Sequence, residues 1–580
     1  MNSTLKGNKI ILRENINIGI AVARNEDLLV PVIHNADKCS LKEISRITRD
    51  IIERTQKDQL TEKDVLDGTF TISNLGMYDI DFFTPIINPP EAAILGVGKI
   101  KKVPVVINDQ IHIREKVTLS LSFDHRIVNG MPAALFLQEI KNLLEHPYRL
   151  FMEGETAAIR AAQLGAEVTL IEREEFGGTC LNWGCIPSKV FLKGSKIFSQ
   201  LEVGEAYGVS ARASPFDMRR LVEKKDEVKQ SLVTGLKNVL RSYGVHMLHG
   251  EGRITDEHTV QVGVEKIPSD KIIIATGSEP DVPHLFQEMV ITYKEAFQLE
   301  YLPRSVMVVY GGVFSVELAW FFLETGSEVI MLTAGLLEKE FEDIEGRIAS
   351  YLRNRGIKSV EGRITSIKKS GEKKIVDVGA EEVMAEEVIW MKRKPSFGGI
   401  PQTFLTGESI TVNEHMQTAL PHVYAVGDCT GSFLAGDAMA QGITAAEHCL
   451  GRNAVYKSQL VPKVMYAPEA AVVGLTEKEA EKYDVVKGNF PFGASGRAQT
   501  VGALQGRVTI LSDKKYGEIL GASVLGKGAT ELIHLISFAM MMEATIDELS
   551  RLLCAHPTMT EMVKDASLDI HGNAFNMPRK

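Results

Sequence analysis

Two cysteines stand close together in GGTCLNWGCIPSK (Gly177–Lys189), Cys180 and Cys185, while Cys39, Cys429, Cys449 and Cys554 are isolated. Their C-x4-C spacing differs from the C-x2-C of most zinc sites, and no second pair completes a tetrahedral set, so no metal centre is expected. Pro187 suits the first turn of a helix, which puts Cys185 at a helix N-terminus, where the dipole favours thiolate. Lys189, one turn on, shares that helix face. A bare C-x4-C reads as two buried structural cysteines; the glycine-flanked string favours redox chemistry instead. Two histidines also draw attention. His125, in SFDHRIVNG (Ser122–Gly130), directly follows an apolar strand, a setting that for a lone histidine reads as structural. His556, in HPTMTE, has Glu561 five residues on; a lone His-Pro reads as a turn.

The elements that must position these residues fall into two textures. NINIGIAVARNEDLLVPVIH reads as paired strands, and SLKEISRITRDIIERTQ as an amphipathic helix with Ser40 as N-cap. Strands follow in GTFTISNLG, AAILGVGKI and VTLSLSFDHR, then a helix in PAALFLQEIKNLLEHP that His146-Pro147 ends. After residue 152, AAIRAAQLG and AEVTLIE read as helix, glycine turn and buried strand, closing on Glu172. The same grammar returns in VMVVYGG, VELAWFFLETG and SEVIMLT, implying two nucleotide-binding-type units. From about Val461 the strands AAVVGL, RVTILSD and EILGASVLG look antiparallel.

Composition narrows the class. The chain has 580 residues, 44% apolar and 24% charged, an ordinary globular balance. A net charge of −10 without a basic block argues against nucleic acid. No apolar run is long enough for a membrane span, and the start lacks a signal-peptide pattern. Six cysteines exclude a disulfide scaffold. A cytoplasmic, multidomain protein is expected.

SFDHRIVNG, GTFTISNLG, INPPEAAILGVG and their spacing resemble the catalytic domain of the dihydrolipoyl acyltransferases of 2-oxo acid dehydrogenase complexes. The resemblance covers residues 1–151. It implies His125 as the base that takes a thiol proton, Asn129 as an orienting group and Ser73 as the hydroxyl that steadies an oxyanion. It also implies coenzyme A and a lipoyl group as substrates, and a trimer through residues 1–151. The early part of that catalytic domain, the lipoyl-bearing domain and the small partner-binding domain have no counterpart in the sequence.

GGTCLNWGCIPSK resembles the redox-active disulfide of the flavoprotein disulfide reductases, and dihydrolipoyl dehydrogenases in particular. This resemblance implies that Cys180 exchanges with a dihydrolipoyl group while Cys185 faces FAD. It places Glu172 on the adenosine ribose, Gly154 at the third glycine of the phosphate motif, Gly178 and Thr179 in the cofactor site, and Thr276 and Gly277 of IIIATGSEP in the loop under the flavin. Gly427 and Asp428 of VYAVGD and the nearby Ala435 belong to the same site, with Asp428 on the ribityl chain. Lys189 pairs with Glu317 beside the ring, and Gly312 serves the NAD turn. His556 is the base, oriented by Glu561 and contributed across a homodimer formed by the C-terminal domain. Lipoyl domains of a 2-oxo acid dehydrogenase complex are the implied partners.

The implied fold class is α/β: a chloramphenicol-acetyltransferase-like α+β part, two Rossmann-like FAD/NAD domains and an α+β dimerisation domain. The divisions are 1–151, 152–298 (FAD), 299–402 (NAD-like), 403–458 (FAD return) and 459–580 (dimerisation). Three departures stand out. The opening strand and first two glycines of the FAD motif are replaced by LEHPYRLFME, in which YRLFM is the only candidate strand. VVYGGVFSVE puts Tyr310 and Ser315 where the NAD motif carries glycines, and a tyrosine at a positive-φ turn is costly. Thr333 replaces the acid for the NAD ribose, and Lys392 a glycine near the nicotinamide. The join between Pro147 and Ala157 has no linker and reads as a fusion by internal deletion, a pseudogene product or an assembly error. The expected function is therefore weak FAD binding and low dihydrolipoamide:NAD+ activity. A non-catalytic assembly piece and acyl transfer alone are the alternatives.

Overall fold

The computed structural model describes residues 2–578 except 7–8, 14, 25–26, 37–40, 108–109, 146–152, 211–214, 334, 380 and 402–404. Cys39, the Ser40 cap, the His146-Pro147 stop, the YRLFM segment and most of the join lie outside the described residues. The chain divides into two compact units, Met1–Arg149 with Arg241–Gly244, and Leu150–Leu240 with Val245–Lys580.

The first unit is built on a mixed sheet. Its order is Leu119–Phe123, Ala93–Val97, Phe70–Asn74, Ile18–Arg24 and Asp27–Leu29, with Val32–Ile33 also paired to Ile18–Arg24. The three middle strands run parallel and their flanks antiparallel. Phe70, Ala93 and Leu95 form its core, against which Phe136, Leu137 and Ile140 of the helix Gly130–Glu145 pack. Burying this apolar row is what fixes the register of the strand that delivers His125. Glu91 is buried among these strands, where Thr71 Oγ1 donates to it at 2.6 Å, and burial holds its carboxyl above the ordinary range.

In the second unit the two Rossmann-like parts differ. The later one has an intact five-stranded parallel sheet: Ile291–Thr292, Glu387–Trp390, Ser305–Val309, Glu328–Thr333 and Lys358–Glu361. Ser305–Val309 is buried at every position, as a central strand covered on both faces must be. The earlier one is split into two parallel pairs, Thr169–Glu172 with His246–His249 and Ile272–Ile274 with Val423–Ala425. Among the described residues no strand joins the pairs. A five-stranded antiparallel sheet (Lys463–Tyr466, Glu469–Gly474, Ile519–Leu525, Arg507–Asp513, Val485–Pro491) carries the helices Ala529–Met541 and Glu561–Ile570 at the C-terminus. No helix among the described residues is long and apolar enough to cross a membrane.

Candidate active site

Cys180 lies on the short helix Gly178–Trp183, and Cys185 opens the helix Cys185–Val203. Their sulfurs form a disulfide with the Cα atoms 4.7 Å apart. Gly177 allows the approach: its φ is 99°, and a Cβ there would lie 2.8 Å from Leu181 Cβ. Cys180 is buried and Cys185 half-buried. Cys185 sits where the unpaired N–H groups of a helix end favour a sulfur leaving as thiolate.

One turn on, Lys189 Nζ is 2.8 Å from Glu317 Oε2 and 4.3 Å from the centroid of the Tyr466 ring. Glu317 is only 2% exposed, and the Tyr466 N–H donates to its other oxygen at 2.9 Å. A carboxylate so deeply placed requires this pairing, since an unpaired buried charge is costly. Glu317 belongs to the helix Val313–Thr325, so the pair ties the disulfide helix to the second Rossmann-like part.

The residues implied for FAD make the following contacts. Glu172 ends its strand and accepts the Glu174 N–H at 2.7 Å, and burial raises its carboxyl pKa. Thr276 Oγ1 donates to the Ser396 carbonyl at 2.5 Å, and Gly277 has a φ of 66° with open space where a Cβ would stand. Asp428, buried, accepts from Ser278 Oγ at 2.5 Å and from Arg393 Nη1 at 2.9 Å. The Gly427 N–H donates to Gln441 Oε1 at 2.7 Å, and Ala435 opens the helix Ala435–Cys449. Gly178 and Thr179 start the first cysteine's helix. Gly154 approaches the residue before Thr276: a Cβ there would be 3.1 Å from Ala275 Cβ.

The residues present fit the two ends of FAD: Glu172 and Asp428 offer carboxylates for two sugar-like groups. The N-terminal turn of the helix Glu153–Gln163 carries Glu155, which is buried and accepts the Gly177 N–H at 2.6 Å. Burial pushes this carboxyl up to about 7, with that hydrogen bond opposing the shift.

The NAD-type turn is strained. Tyr310 does take a positive φ, 85°, a conformation open to glycine and costly for tyrosine. Gly312 precedes the helix Val313–Thr325, and Ser315 Oγ donates to the Gly311 carbonyl at 2.7 Å. Lys392 pairs with Asp281 at 2.6 Å and lies 5.7 Å from the Tyr310 ring centroid. Thr333 ends the strand Glu328–Thr333.

At the C-terminus, His556 Nδ1 is 2.8 Å from Glu561 Oε1, and the Thr558 N–H holds Oε2 at 2.8 Å. The His556 hydrogen bond, with that of Thr558, keeps Glu561 below the usual carboxylate range. The imidazole is 81% exposed, its other nitrogen open for a proton. In the first unit, His125 and Asn129 lie exposed in the turn after Leu119–Phe123, and Ser73 on the strand Phe70–Asn74. Ser73 pairs with Gly96, and Gly96 with Ser120, so one strand separates it from the histidine's strand. Among the described residues no hydrogen bond joins His125 to Ser73 or Asn129. Asp124 is instead clasped by Arg126, Oδ2 to Nη2 at 2.7 Å, which lowers its pKa.

Several participants escaped sequence reasoning. Arg393 and Ser278 hold Asp428, Gln441 holds Gly427, and Tyr466 backs Lys189, all through partners far away in sequence. Glu155 alone left a local signal, an acid directly after Gly154 in an alanine-rich helix.

Comparison with known proteins shows the family. Residues 1–152 match the model of the 2-oxoacid dehydrogenases acyltransferase (catalytic domain). Residues 154–449 match pyridine nucleotide-disulphide oxidoreductase, and 461–567 its dimerisation domain. A dihydrolipoyl dehydrogenase of Bacillus subtilis is 33% identical over 451 residues, 73% of this chain and 97% of that protein. That of Thermus scotoductus is 34% identical over 447 residues, covering 73% and 96%. Among solved structures, LpdA from Mycobacterium tuberculosis superposes with a TM-score of 0.68 at 23% identity, over 72% of this chain and 97% of that one, a likeness of fold. The chain therefore belongs to the pyridine nucleotide-disulphide oxidoreductase family, as an oxidoreductase related to the dihydrolipoyl dehydrogenases and fused to an acyltransferase catalytic domain of the 2-oxoacid dehydrogenases.

Proposed function

We propose that this protein oxidises dihydrolipoyl groups of a 2-oxo acid dehydrogenase complex through the Cys180–Cys185 disulfide. The observation that carries the reading is this formed disulfide at the head of the helix that also presents Lys189 to Glu317. One lipoyl thiolate attacks Cys180 Sγ, and the Cys180–Cys185 bond breaks with Cys185 leaving as thiolate at its helix end. The second lipoyl thiol then attacks its own chain's sulfur, closing the lipoyl disulfide and releasing Cys180. The lipoyl group loses two electrons and the cysteine pair gains them. His556 of a second subunit accepts the thiol proton, its imidazolium stabilised by Glu561. FAD, when bound, supplies the acceptor for the electrons held by Cys185; Glu172, Thr276, Gly277 and Asp428 would hold its ends.

The divisions at 151, 298, 402 and 458 belong to this reading. So do a homodimer through the C-terminal domain, lipoyl domains as partners and a cytoplasmic setting. For the first unit, the turn that exposes His125 supports a lipoyl thiol and coenzyme A as substrates, with a trimer completing the site. Anaerobic addition of dihydrolipoamide followed by thiol titration tests the main claim. The wild-type protein should expose the thiols of Cys180 and Cys185, and Cys180→Ser should respond to no dihydrolipoamide. A wild-type disulfide that stays closed removes the reading.

A further inference from the structure

The helix Val313–Thr325 begins at a glycine turn, and the N–H groups of such a helix end are where a dinucleotide pyrophosphate would bind. Here the chain covers them. Leaving the strand Glu328–Thr333, residues 335–338 lie directly on the glycine turn. The Gly312 N–H donates to the Leu336 carbonyl at 2.8 Å. A Cβ on Gly311 would collide with the Gly335 carbonyl and stand 2.6 Å from that of Leu336. Glu338 completes the cover. Both of its oxygens face the Val313 N–H, at 3.1 and 3.3 Å, and a Cβ on Gly312 would lie 2.7 Å from Oε1.

This cover is anchored. Glu345 Oε1 accepts both the Leu336 and Leu337 N–H groups, at 2.6 and 3.0 Å, and Leu336 is buried in the main core. A carboxylate at a helix N-terminus is itself the favourable occupant of that position, so it competes with a phosphate for the same N–H groups and repels it. The residues present therefore do not fit NAD(H) in the pose this fold provides.

We infer that the Glu338 carboxyl group, held by the 335–338 turn, occupies the phosphate cradle of the second Rossmann-like part and hinders pyridine dinucleotides from binding there. The inference concerns the acceptor side of the reductase and goes beyond the proposed disulfide chemistry. The flavin-to-NAD arrangement implied by relatives is thereby weakened in this chain by one side chain.

NADH fluorescence titration of the full chain tests it, using wild type, Glu338→Ala and Glu338→Gln. Both substitutions remove the charge, and glutamine keeps the shape should alanine loosen the turn; circular dichroism confirms folding. Wild type should bind weakly, and the variants at least ~10-fold tighter, the scale expected when one like-charge contact at a phosphate is removed. ADP-ribose should compete with NADH in the variants. No gain in either folded variant overturns the inference, as does wild-type binding as tight as theirs. Dihydrolipoamide-dependent thiol exposure, measured on the same samples, reports separately on the disulfide chemistry, so the two ideas fail independently.

Discussion

The two nucleotide-binding parts of the second unit differ in what they keep. The earlier part shows two strand pairs, with no strand between them among the described residues, and it carries the chemistry: the disulfide, Lys189 and the Asp428 cluster. The later part keeps an unbroken five-stranded sheet and a fully buried central strand, yet its phosphate turn is covered by its own chain. Scaffold integrity and site integrity are thus separable. A sheet is held by many buried apolar residues and tolerates a change in one loop. A cradle depends on two or three N–H groups and is lost when a single carboxylate reaches them.

The sharpest way to break this comparison is at the base. If the chemistry belongs to the disulfide side, His556→Ala should slow dihydrolipoamide oxidation, followed with an artificial electron acceptor, by about 10²–10⁴-fold, the usual worth of a general base. The imidazole is exposed and makes its described contact only with Glu561, so the fold should be unaffected. Glu338→Gln should leave the same assay unchanged. Equal losses in both variants would mean that the two parts act as one site.

What could be read beforehand follows the same division. The cysteine string and the alternation of helix and strand are local features, and the structure displays each as a local element; the interruption ahead of Gly154 lies outside the described residues. The strain at Tyr310 was also legible, because a glycine motif fixes the sign of φ at its first position. Glu155 and Glu338 were not read as parts of either site. Glu338 belongs to the acidic run EKEFEDIE, which looks like a solvated helix face, and only the turn from Gly335 brings it back onto Val313. Arg393 was equally hidden, since its partner Asp428 is 35 residues away.

A smaller effect sharpens the account of the earlier part. Glu155 is buried with its carboxyl raised from 4.5 to about 7, mainly by desolvation. Between these values the folded chain binds more protons than the unfolded one, so stability falls as pH rises through that window. The full cost, reached well above pH 7, is roughly 3–4 kcal/mol from the size of the shift. Urea unfolding at pH 5 and pH 8 should show this loss for wild type and a flatter profile for Glu155→Gln, which stays neutral throughout. An identical pH profile for both proteins would show that Glu155 is not the buried titrating group.

The smallest predicted effect separates the strained turn from the covered one. Tyr310 holds a φ of 85° and is 46% exposed, with Lys392 5.7 Å from its ring. Glycine would relieve the backbone at the loss of a cation–π contact worth about 0.5 kcal/mol at an exposed site. Lys392 keeps Asp281, 2.6 Å away. After the larger unfolded-state entropy of glycine is subtracted, Tyr310→Gly should stabilise the chain by about 0.5–1 kcal/mol, visible as a modest rise in denaturation midpoint. The motif glycine would then be restored while Glu338 still faced Val313. NADH affinity should therefore not improve in Tyr310→Gly alone, and a gain there without a change at Glu338 would move the block from the carboxylate to the tyrosine.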